Sequence, residues 1–146
     1  MSDASLKTRM CRGDILASTF LKTPAHDLVE VFATSGSDFI CLDTEHAPYD
    51  RGRIDACLAG GRALDYRIVV RMSDEAAPEL LKAPDSSAVA NATKLHRIAA
   101  MTFTSNAAAA KAQIDCGMST FFIGSDHAFT LTAAKHIAAE IHAIDI

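Results

Sequence analysis

The residues best suited to chemistry follow directly after an apolar run, Phe39 to Leu42. They are Asp43, Glu45 and His46. The apolar run predicts a buried strand, and a helix is expected to begin after Pro48. A carboxylate three residues before an imidazole, at the end of a strand, is a reasonable proton-transfer pair. Asp43 and Glu45 could instead only cap the turn that follows, and the residues alone leave both interpretations open.

Apolar spacing along the rest of the chain predicts strands that alternate with helices. Strands are predicted at 14–20, 38–43, 67–71, 98–103 and 120–123, with a weak sixth at 88–92. Helices are predicted to begin near Thr23, Asp50, Asp74, Ser105 and Thr130. This alternation is typical of a parallel sheet. In such sheets the functional side chains gather at the carboxyl ends of the strands.

Three more specific predictions concern how these elements begin and pack. Thr23 is the predicted N-cap of its helix, with Pro24 at the first helical position. The strand at 67–71 is rich in β-branched residues, which predicts burial on both faces. The last helix, 130–144, is predicted to carry an apolar stripe formed by Leu131, Ala134, Ile137, Ile141 and Ile144.

Length, charge and cysteine usage exclude several classes of protein. The chain has 146 residues, 49% hydrophobic and 22% charged, which predicts one globular domain. A net charge of −4 gives no electrostatic case for nucleic acid, and no apolar run is long enough for a membrane span. The polar first twelve residues lack the apolar core of a signal peptide. Reduced, mostly buried thiols in a cytoplasmic protein are therefore expected at the four cysteines, Cys11, Cys41, Cys57 and Cys116.

Two stretches of the sequence resemble the HpcH/HpaI family of class II pyruvate aldolases. They are residues 12–83, which contain DTEHAP and VVR, and residues 98–145. Members of that family are TIM barrels that cleave 4-hydroxy-2-oxo acids to pyruvate and an aldehyde. The resemblance thus implies an α/β fold, a partial (β/α) barrel of about six parallel strands.

The resemblance also implies roles for four residues. His46, in DTEHAP, matches the catalytic acid/base, and Asp43 matches the acidic residue that orients it. Arg71 matches the arginine that binds the pyruvate carboxylate and steadies the enolate, although an ion pair with Asp43 or Glu45 is an equal alternative. Phe20 falls at an aromatic position that flanks the substrate.

The departures from the family pattern concern the metal and the length. Family members bind a divalent ion (Mg, Mn or Co) through a Glu and an Asp on strands five and six, and the motifs that carry them are absent. A complete barrel needs about 250 residues. We therefore expect a single truncated domain over 1–146, in which 1–83 and 98–146 correspond to the N-terminal and C-terminal parts of family members and 84–97 is an irregular junction.

No cofactor is expected in this chain. Glu45 and Asp126 are weak candidate metal ligands, and an N-cap by Ser125 or Asp126 is the commoner outcome.

Two functions of different classes follow from these features. One is a lyase acting on 2-oxo acids, derived from a metal-dependent aldolase, with its activity lost or much reduced. The alternative is a non-catalytic remnant or engineered fragment that forms a self-associating βα assembly. Loss of strands five and six leaves an arc in the order 7-8-1-2-3 with a possible 4. Its edges are open at strand 7 and at strand 3 or 4, and its inward face, formed by residues such as 39–42 and 68–70, is expected to be exposed. A homo-oligomer is therefore expected, most simply a two-fold dimer to which the last helix contributes.

Overall fold

Strands and helices alternate along the described part of the computed structural model, residues 5–71 and 101–144. Along the first part lie α1 (Leu6–Arg12), β1 (Leu16–Leu21), α2 (Asp27–Ala33), β2 (Phe39–Asp43), α3 (Arg51–Ala63) and β3 (Arg67–Arg71). Along the second part lie β4 (Met101–Phe103), α4 (Ala107–Asp115), β5 (Thr120–Ser125) and α5 (Asp126–His142). The helix predicted from Asp74, the weak strand at 88–92 and the junction at 84–97 lie outside the described residues.

The five strands form one parallel sheet in the order β3-β2-β1-β5-β4. The last strands of the chain thus pair beside the first, as the eighth strand of a barrel pairs with the first. Within the described residues the sheet is open, with β3 and β4 as its outer strands. The predicted α/β fold and partial barrel are therefore confirmed, as is the strand order of the predicted arc.

Alternating side chains of the strands build a core on each face of the sheet, because successive residues point to opposite sides. On one face α2 and α3 cover a cluster formed by Leu21, Val29, Phe32, Ile40, Leu42 and Cys57. On the other face the cluster is Leu16, Phe39, Cys41 and Phe122, and α1 packs against it through Leu6 and Met10. All five residues of β2 are buried, so the predicted strand from Phe39 is confirmed.

Thr23 is not the N-cap of the second helix, so that prediction was wrong. The helix α2 begins at Asp27, with His26 at the N-cap position and no capping side chain. The Thr23 N–H instead donates to the carboxylate of Asp126, and the Thr23 carbonyl accepts from the Tyr49 hydroxyl. These bonds to distant residues fix Thr23 in the loop, and the helix starts one turn later.

Two predictions about burial are also corrected. The residues of β3 are exposed or half-buried rather than buried on both faces, because β3 is an outer strand of the described sheet. The inward face at Phe39 and Cys41 was expected to be exposed, but both are buried because α1 packs over it. Ile68 and Val70 pack on the opposite, helix-covered face.

The last helix begins earlier than predicted, and its contacts with the described sheet and with α2 involve its first turn. It starts at Asp126, where the Ser125 hydroxyl accepts from the Ala128 N–H and caps the helix. Every residue of α5 after Asp126 is exposed, including Ile137 at 52% and Ile141 at 59%. The apolar stripe is thus present but has no covering partner within residues 5–71 and 101–144. In that same part of the chain, no helix combines the length and apolar character that crossing a membrane requires.

Candidate active site

A cavity of 340 Å³ opens where the five strands end. Each strand or the residue just after it contributes to the wall, which consists of Phe20, Lys22, Asp43, His46, Arg71, Phe103, Gly124, Ser125 and Ala128. The predicted gathering of polar side chains at the carboxyl ends of the strands is therefore present. A cavity of this size lies within the usual range for small-molecule sites.

Strand register explains why the charged residues converge. Asp43 pairs with Arg71 across β2 and β3, and Leu21 pairs with Leu42 across β1 and β2. One residue further along both strands, Lys22 therefore lies beside Asp43. The three side chains point to the same face because each lies an even number of residues from an inward-facing residue of its own strand. A cation, a carboxylate and a second cation thus stand in a row across three strands.

Asp43 is the buried centre of this group, with a side chain only 1% exposed. Its Oδ1 accepts from the His46 backbone N–H at 3.3 Å and lies 3.4 Å from His46 Nδ1. Arg71 Nη1 also donates to Oδ1, at 3.5 Å, while Lys22 Nζ lies 3.7 Å from Oδ2. Two cations therefore approach opposite oxygens of one buried carboxylate.

The His46 imidazole is half exposed and is oriented by Asp43. A proton on Nδ1 can be donated to Asp43, which leaves Nε2 with its lone pair. Nε2 has no hydrogen-bond partner among the described residues. The arrangement is chemically able to transfer a proton to or from a ligand in the cavity.

Arg71 makes both of the ion pairs that the sequence left open as an alternative to anion binding. Its guanidinium contacts Glu45 as well as Asp43, and it still lines the cavity. Arg71 Cζ lies 5.5 Å from the centre of the Phe20 ring, within range of a cation–π interaction. The Phe20 ring stacks on Phe122 with centroids 4.3 Å apart, so it forms a rigid apolar wall beside the guanidinium.

The Asp126 carboxylate binds backbone N–H groups rather than forming a metal site with Glu45. Its two carboxylate oxygens accept from the N–H groups of Lys22 at 2.8 Å and Thr23 at 3.0 Å. Burial alone would raise the pKa of Asp126, but hydrogen bonds from Thr23 and Lys22 hold that pKa below its usual value. The commoner outcome expected here, an N-cap by Ser125, is the one observed.

The cysteines offer no activated nucleophile at this site, and Cys41 and Cys57 are buried as expected whereas Cys11 and Cys116 are exposed. Cys41 is buried beneath Asp43, and burial raises the pKa of its thiol to about 11. Burial also raises the pKa of Cys57. Both thiols are therefore protonated at neutral pH and act as small core residues.

The donor set does not fit the divalent metal that the resemblance implies. Asp43, Glu45 and His46 do place one potential ligand atom each within 4.8 Å of one another. However, Arg71 contacts both carboxylates, and Lys22 lies beside the second oxygen of Asp43. The two negative charges are already matched by two positive ones, so a divalent ion would have to displace both side chains or stand next to them.

Sequence reasoning missed Lys22 and Phe103 as cavity residues. Lys22 lies two residues beyond the predicted end of its strand at position 20. Its signal was available in the alternation of the strand, since Phe20 and Lys22 must share a face. Phe103 was placed in a strand, but its contact with the cavity depends on β4 pairing with β5.

In the part of the chain that the structure describes, a parallel sheet with open edges carries charged residues at its strand ends, which defines the class as an α/β protein of barrel type. No family model and no curated protein sequence matches the chain. Among solved structures it is similar to an HpcH/HpaI aldolase from Desulfitobacterium hafniense, with a TM-score of 0.79 and 13% identity over 96% of this chain and 97% of that one. A HpcH/HpaI aldolase/citrate lyase family protein from Burkholderia cenocepacia gives 0.73 and 14% over 94% and 99%. A variant of the citrate synthase SbnG gives 0.70 and 14% over 94% and 97%.

These similarities establish the fold. The chain has the fold of the HpcH/HpaI aldolases in shortened form, with a sheet that is open within residues 5–71 and 101–144, and the resemblance seen in the sequence is confirmed at that level. The matches extend from near the start to near the end of each chain, so both halves of the described sheet contribute to the likeness.

Proposed function

We propose that the cavity binds a small 2-oxo acid, and that the chain is derived from an aldolase-type lyase whose activity is lost or much reduced. The observation that carries the proposal is the convergence of Arg71, Asp43 and His46 in one cavity at the strand ends. A cationic guanidinium and an oriented imidazole are the groups needed to bind a carboxylate and to move a proton.

In this arrangement Arg71 binds the carboxylate of the oxo acid, and Phe20 limits the space beside it. Nε2 of His46 accepts the proton of the 4-hydroxyl group as the C3–C4 bond breaks, which releases the aldehyde. The electron pair of that bond forms the enolate of pyruvate, and His46 returns a proton to C3. Asp43 holds the imidazole and stabilises its protonated form.

The expected loss of activity follows from the charge that the enolate must carry. A metal ion supplies several kcal/mol of stabilisation to such an oxyanion, and the charged cluster here does not fit one. Arg71 is the positive group beside the carboxylate, and it is shared with Asp43 and Glu45. Turnover should therefore be far below that of a metal-dependent aldolase.

Titration with pyruvate or oxalate, followed by NMR, tests the binding part of the proposal. We expect shifts confined to residues around the cavity, and we expect Arg71→Ala to weaken binding strongly. Arg53→Ala, which removes an exposed arginine on α3, is the matched control and should bind as the wild type does. Binding that survives Arg71→Ala unchanged would refute the site.

Pyruvate release from 4-hydroxy-2-oxo acids tests the catalytic part. We expect a rate that is very low, unaffected by EDTA and lowered further by His46→Gln. The second candidate function, a non-catalytic self-associating assembly, is favoured by the uncovered apolar stripe of α5. It predicts no release of pyruvate above the buffer rate.

A further inference from the structure

Lys22 brings a primary amine to the wall of the cavity, where its side chain is about one-third exposed. Its backbone is fixed, since its N–H donates to Asp126 Oδ1 at 2.8 Å and the N–H of Thr23 donates to Oδ2 at 3.0 Å. The Tyr49 hydroxyl lies 3.1 Å from the Leu21 carbonyl and 3.2 Å from the Thr23 carbonyl. Side chains from two distant parts of the sequence thus hold the segment that carries the amine.

The amine also lies close to the place where a 2-oxo acid bound by Arg71 presents its carbonyl carbon. Lys22 Nζ is 3.7 Å from Asp43 Oδ2, and Arg71 Nη1 is 3.5 Å from Oδ1 of the same carboxylate. A ligand carboxylate held by Arg71 is therefore within reach of Lys22 as well. In a 2-oxo acid the carbonyl carbon C2 is bonded directly to that carboxylate, so the amine stands beside C2.

We propose that Lys22 is a nucleophile that captures the 2-oxo acid as a Schiff base at C2. Lysine amines form such imines with carbonyl substrates, and an iminium accepts an electron pair from the adjacent carbon without a metal ion. This inference rests on the proposed function, since it takes Arg71 as the site of the carboxylate. It gives the cavity an electrophile made from one of its own side chains, where the charged cluster does not fit a divalent ion.

Formation of the Schiff base needs only groups that line the cavity. Lys22 Nζ gives one proton to the Asp43 carboxylate, 3.7 Å away, and its lone pair forms a bond to C2. The C2 oxygen takes up that proton, a second proton moves from the nitrogen to the same oxygen, and the C–O bond breaks. One water leaves as the C=N bond forms, and the nitrogen keeps one proton and the positive charge.

The iminium then takes the place of the C2 carbonyl in the cleavage step. When His46 removes the 4-hydroxyl proton, the electron pair of the C3–C4 bond forms an enamine and the aldehyde leaves. His46 returns the proton to C3, which restores the iminium. Addition of water to C2 breaks the C–N bond, releases pyruvate and leaves Lys22 as it began.

Trapping with cyanoborohydride tests the proposal, because this reagent reduces the imine to a stable secondary amine. The wild type, Lys22→Arg and Lys111→Arg are incubated with pyruvate and cyanoborohydride in buffer containing EDTA, and mass spectrometry of the peptides locates the adduct. We expect Lys22 to be modified at least about tenfold faster than the exposed Lys111, since a positioned carbonyl reacts at a high effective concentration. Lys22→Arg should lose the adduct at position 22, and Lys111→Arg should keep it.

Titration of the same proteins with pyruvate, followed by NMR, separates this inference from the proposed function. Lys22→Arg keeps the positive charge and should still bind pyruvate, so an adduct lost without loss of binding identifies the amine as the nucleophile. If the wild type binds pyruvate but modifies Lys22 no faster than Lys111, the role of Lys22 is refuted while the 2-oxo acid site stands. If the wild type does not bind pyruvate, the proposed site is refuted and Lys22 with it. The comparison of Lys22 with Lys111 is made in the wild type, so it does not depend on how well a variant folds.

Discussion

Asp43 controls which charges the cavity can accept, since it is buried and two cations converge on it. Divalent ions such as Mg²⁺ and Mn²⁺ prefer several convergent carboxylate oxygens that are free to coordinate. Here Arg71 occupies the carboxylates of both Asp43 and Glu45. We therefore predict no tight site for Mg²⁺, Mn²⁺ or Co²⁺ in the single chain.

Calorimetry with Mn²⁺ checks this prediction, and the variant Arg71→Met tests whether the guanidinium is what prevents binding. The wild type should show no micromolar binding, whereas Arg71→Met should bind Mn²⁺ more tightly because its carboxylates are released from the guanidinium. Micromolar binding of one ion per wild-type chain, abolished by Glu45→Gln, would overturn the prediction.

Asp126 should make folding stability depend on pH. Its pKa is lower in the folded chain than in the unfolded one, so the unfolded chain binds the proton first as the pH falls. The stabilisation is complete above the ordinary aspartate pKa of about 3.9 and is lost as the pH falls through the folded value. Asp126→Asn should therefore cost about 1–3 kcal/mol at pH 7, and its effect should shrink by pH 3.

Urea unfolding of wild type and Asp126→Asn at pH 7 and pH 3 measures this difference. Asp115→Asn, on the exposed surface of α4, is the control and should change stability little at either pH. The imidazole of His127 lies 3.8 Å from Asp126, so His127→Gln identifies any part of the effect that comes from its charge. A destabilisation by Asp126→Asn that is equal at both pH values would contradict the prediction.

The sequence was enough to place Asp43, His46 and Arg71 near one another, because a strand that ends in a polar residue directs it to the sheet edge. It was not enough for Thr23, whose N–H donates to Asp126 more than a hundred positions away, a bond that no local pattern predicts. Lys22 was missed although strand alternation places it on the face of Phe20, because the strand was predicted to end at position 20. The catalytic and substrate-binding roles of these residues stay predictions.

Among the elements, α3 is a helix that packs closely on the sheet. Its start was predicted within one residue, since Asp50 caps it through the Arg53 N–H. The sequence could not explain its paired glycines. A Cβ at Gly61 would lie 2.5 Å from Ile68 Cδ1 and 3.0 Å from the Tyr66 carbonyl oxygen, whereas one at Gly60 would meet its nearest atom at 3.9 Å.

We therefore predict opposite effects for Gly60→Ala and Gly61→Ala. Both gain up to about 1 kcal/mol of helix propensity, but only Gly61→Ala must push α3 away from β3, at a cost of about 1–3 kcal/mol. Thermal unfolding should show Gly60→Ala at or above the wild-type midpoint and Gly61→Ala below it. Equal midpoints for the two variants would contradict the close packing of α3 on the sheet.

At the scale of the whole molecule, the order β3-β2-β1-β5-β4 could be predicted because barrel strands neighbour one another in sequence, so loss of internal strands leaves a contiguous arc. The burial of the inward face could not be predicted, since the packing of α1 over Phe39 and Cys41 depends on tertiary contacts. Among the described residues, exposed apolar side chains lie instead on α5 and on the outer strand β4.

That surface motivates the expectation of a homo-oligomer, which stays a prediction. Leu131, Ile137 and Ile141 of α5 and Ile144 just after it are all more than half exposed, and Phe103 and Met101 of the outer strand β4 are exposed as well. Apolar surface gains about 25 cal/mol per Å² when it is removed from water, and unpaired strand edges attract further chains. A second copy of this chain is the simplest partner, since two-fold association covers both copies at once.

Light scattering at micromolar concentration should report at least twice the chain mass of 15.5 kDa. The combined change Ile137→Gln and Ile141→Gln should lower the measured mass towards one chain, because it makes the centre of the stripe polar without changing helix length. Lys135→Gln with Glu140→Gln, on the polar face of the same helix, should leave the mass unchanged.

A variant with polar residues at 137 and 141 that keeps the wild-type mass would exclude α5 from the interface. A stable, monodisperse wild-type monomer would refute association altogether, and the stripe would then be covered within the chain itself.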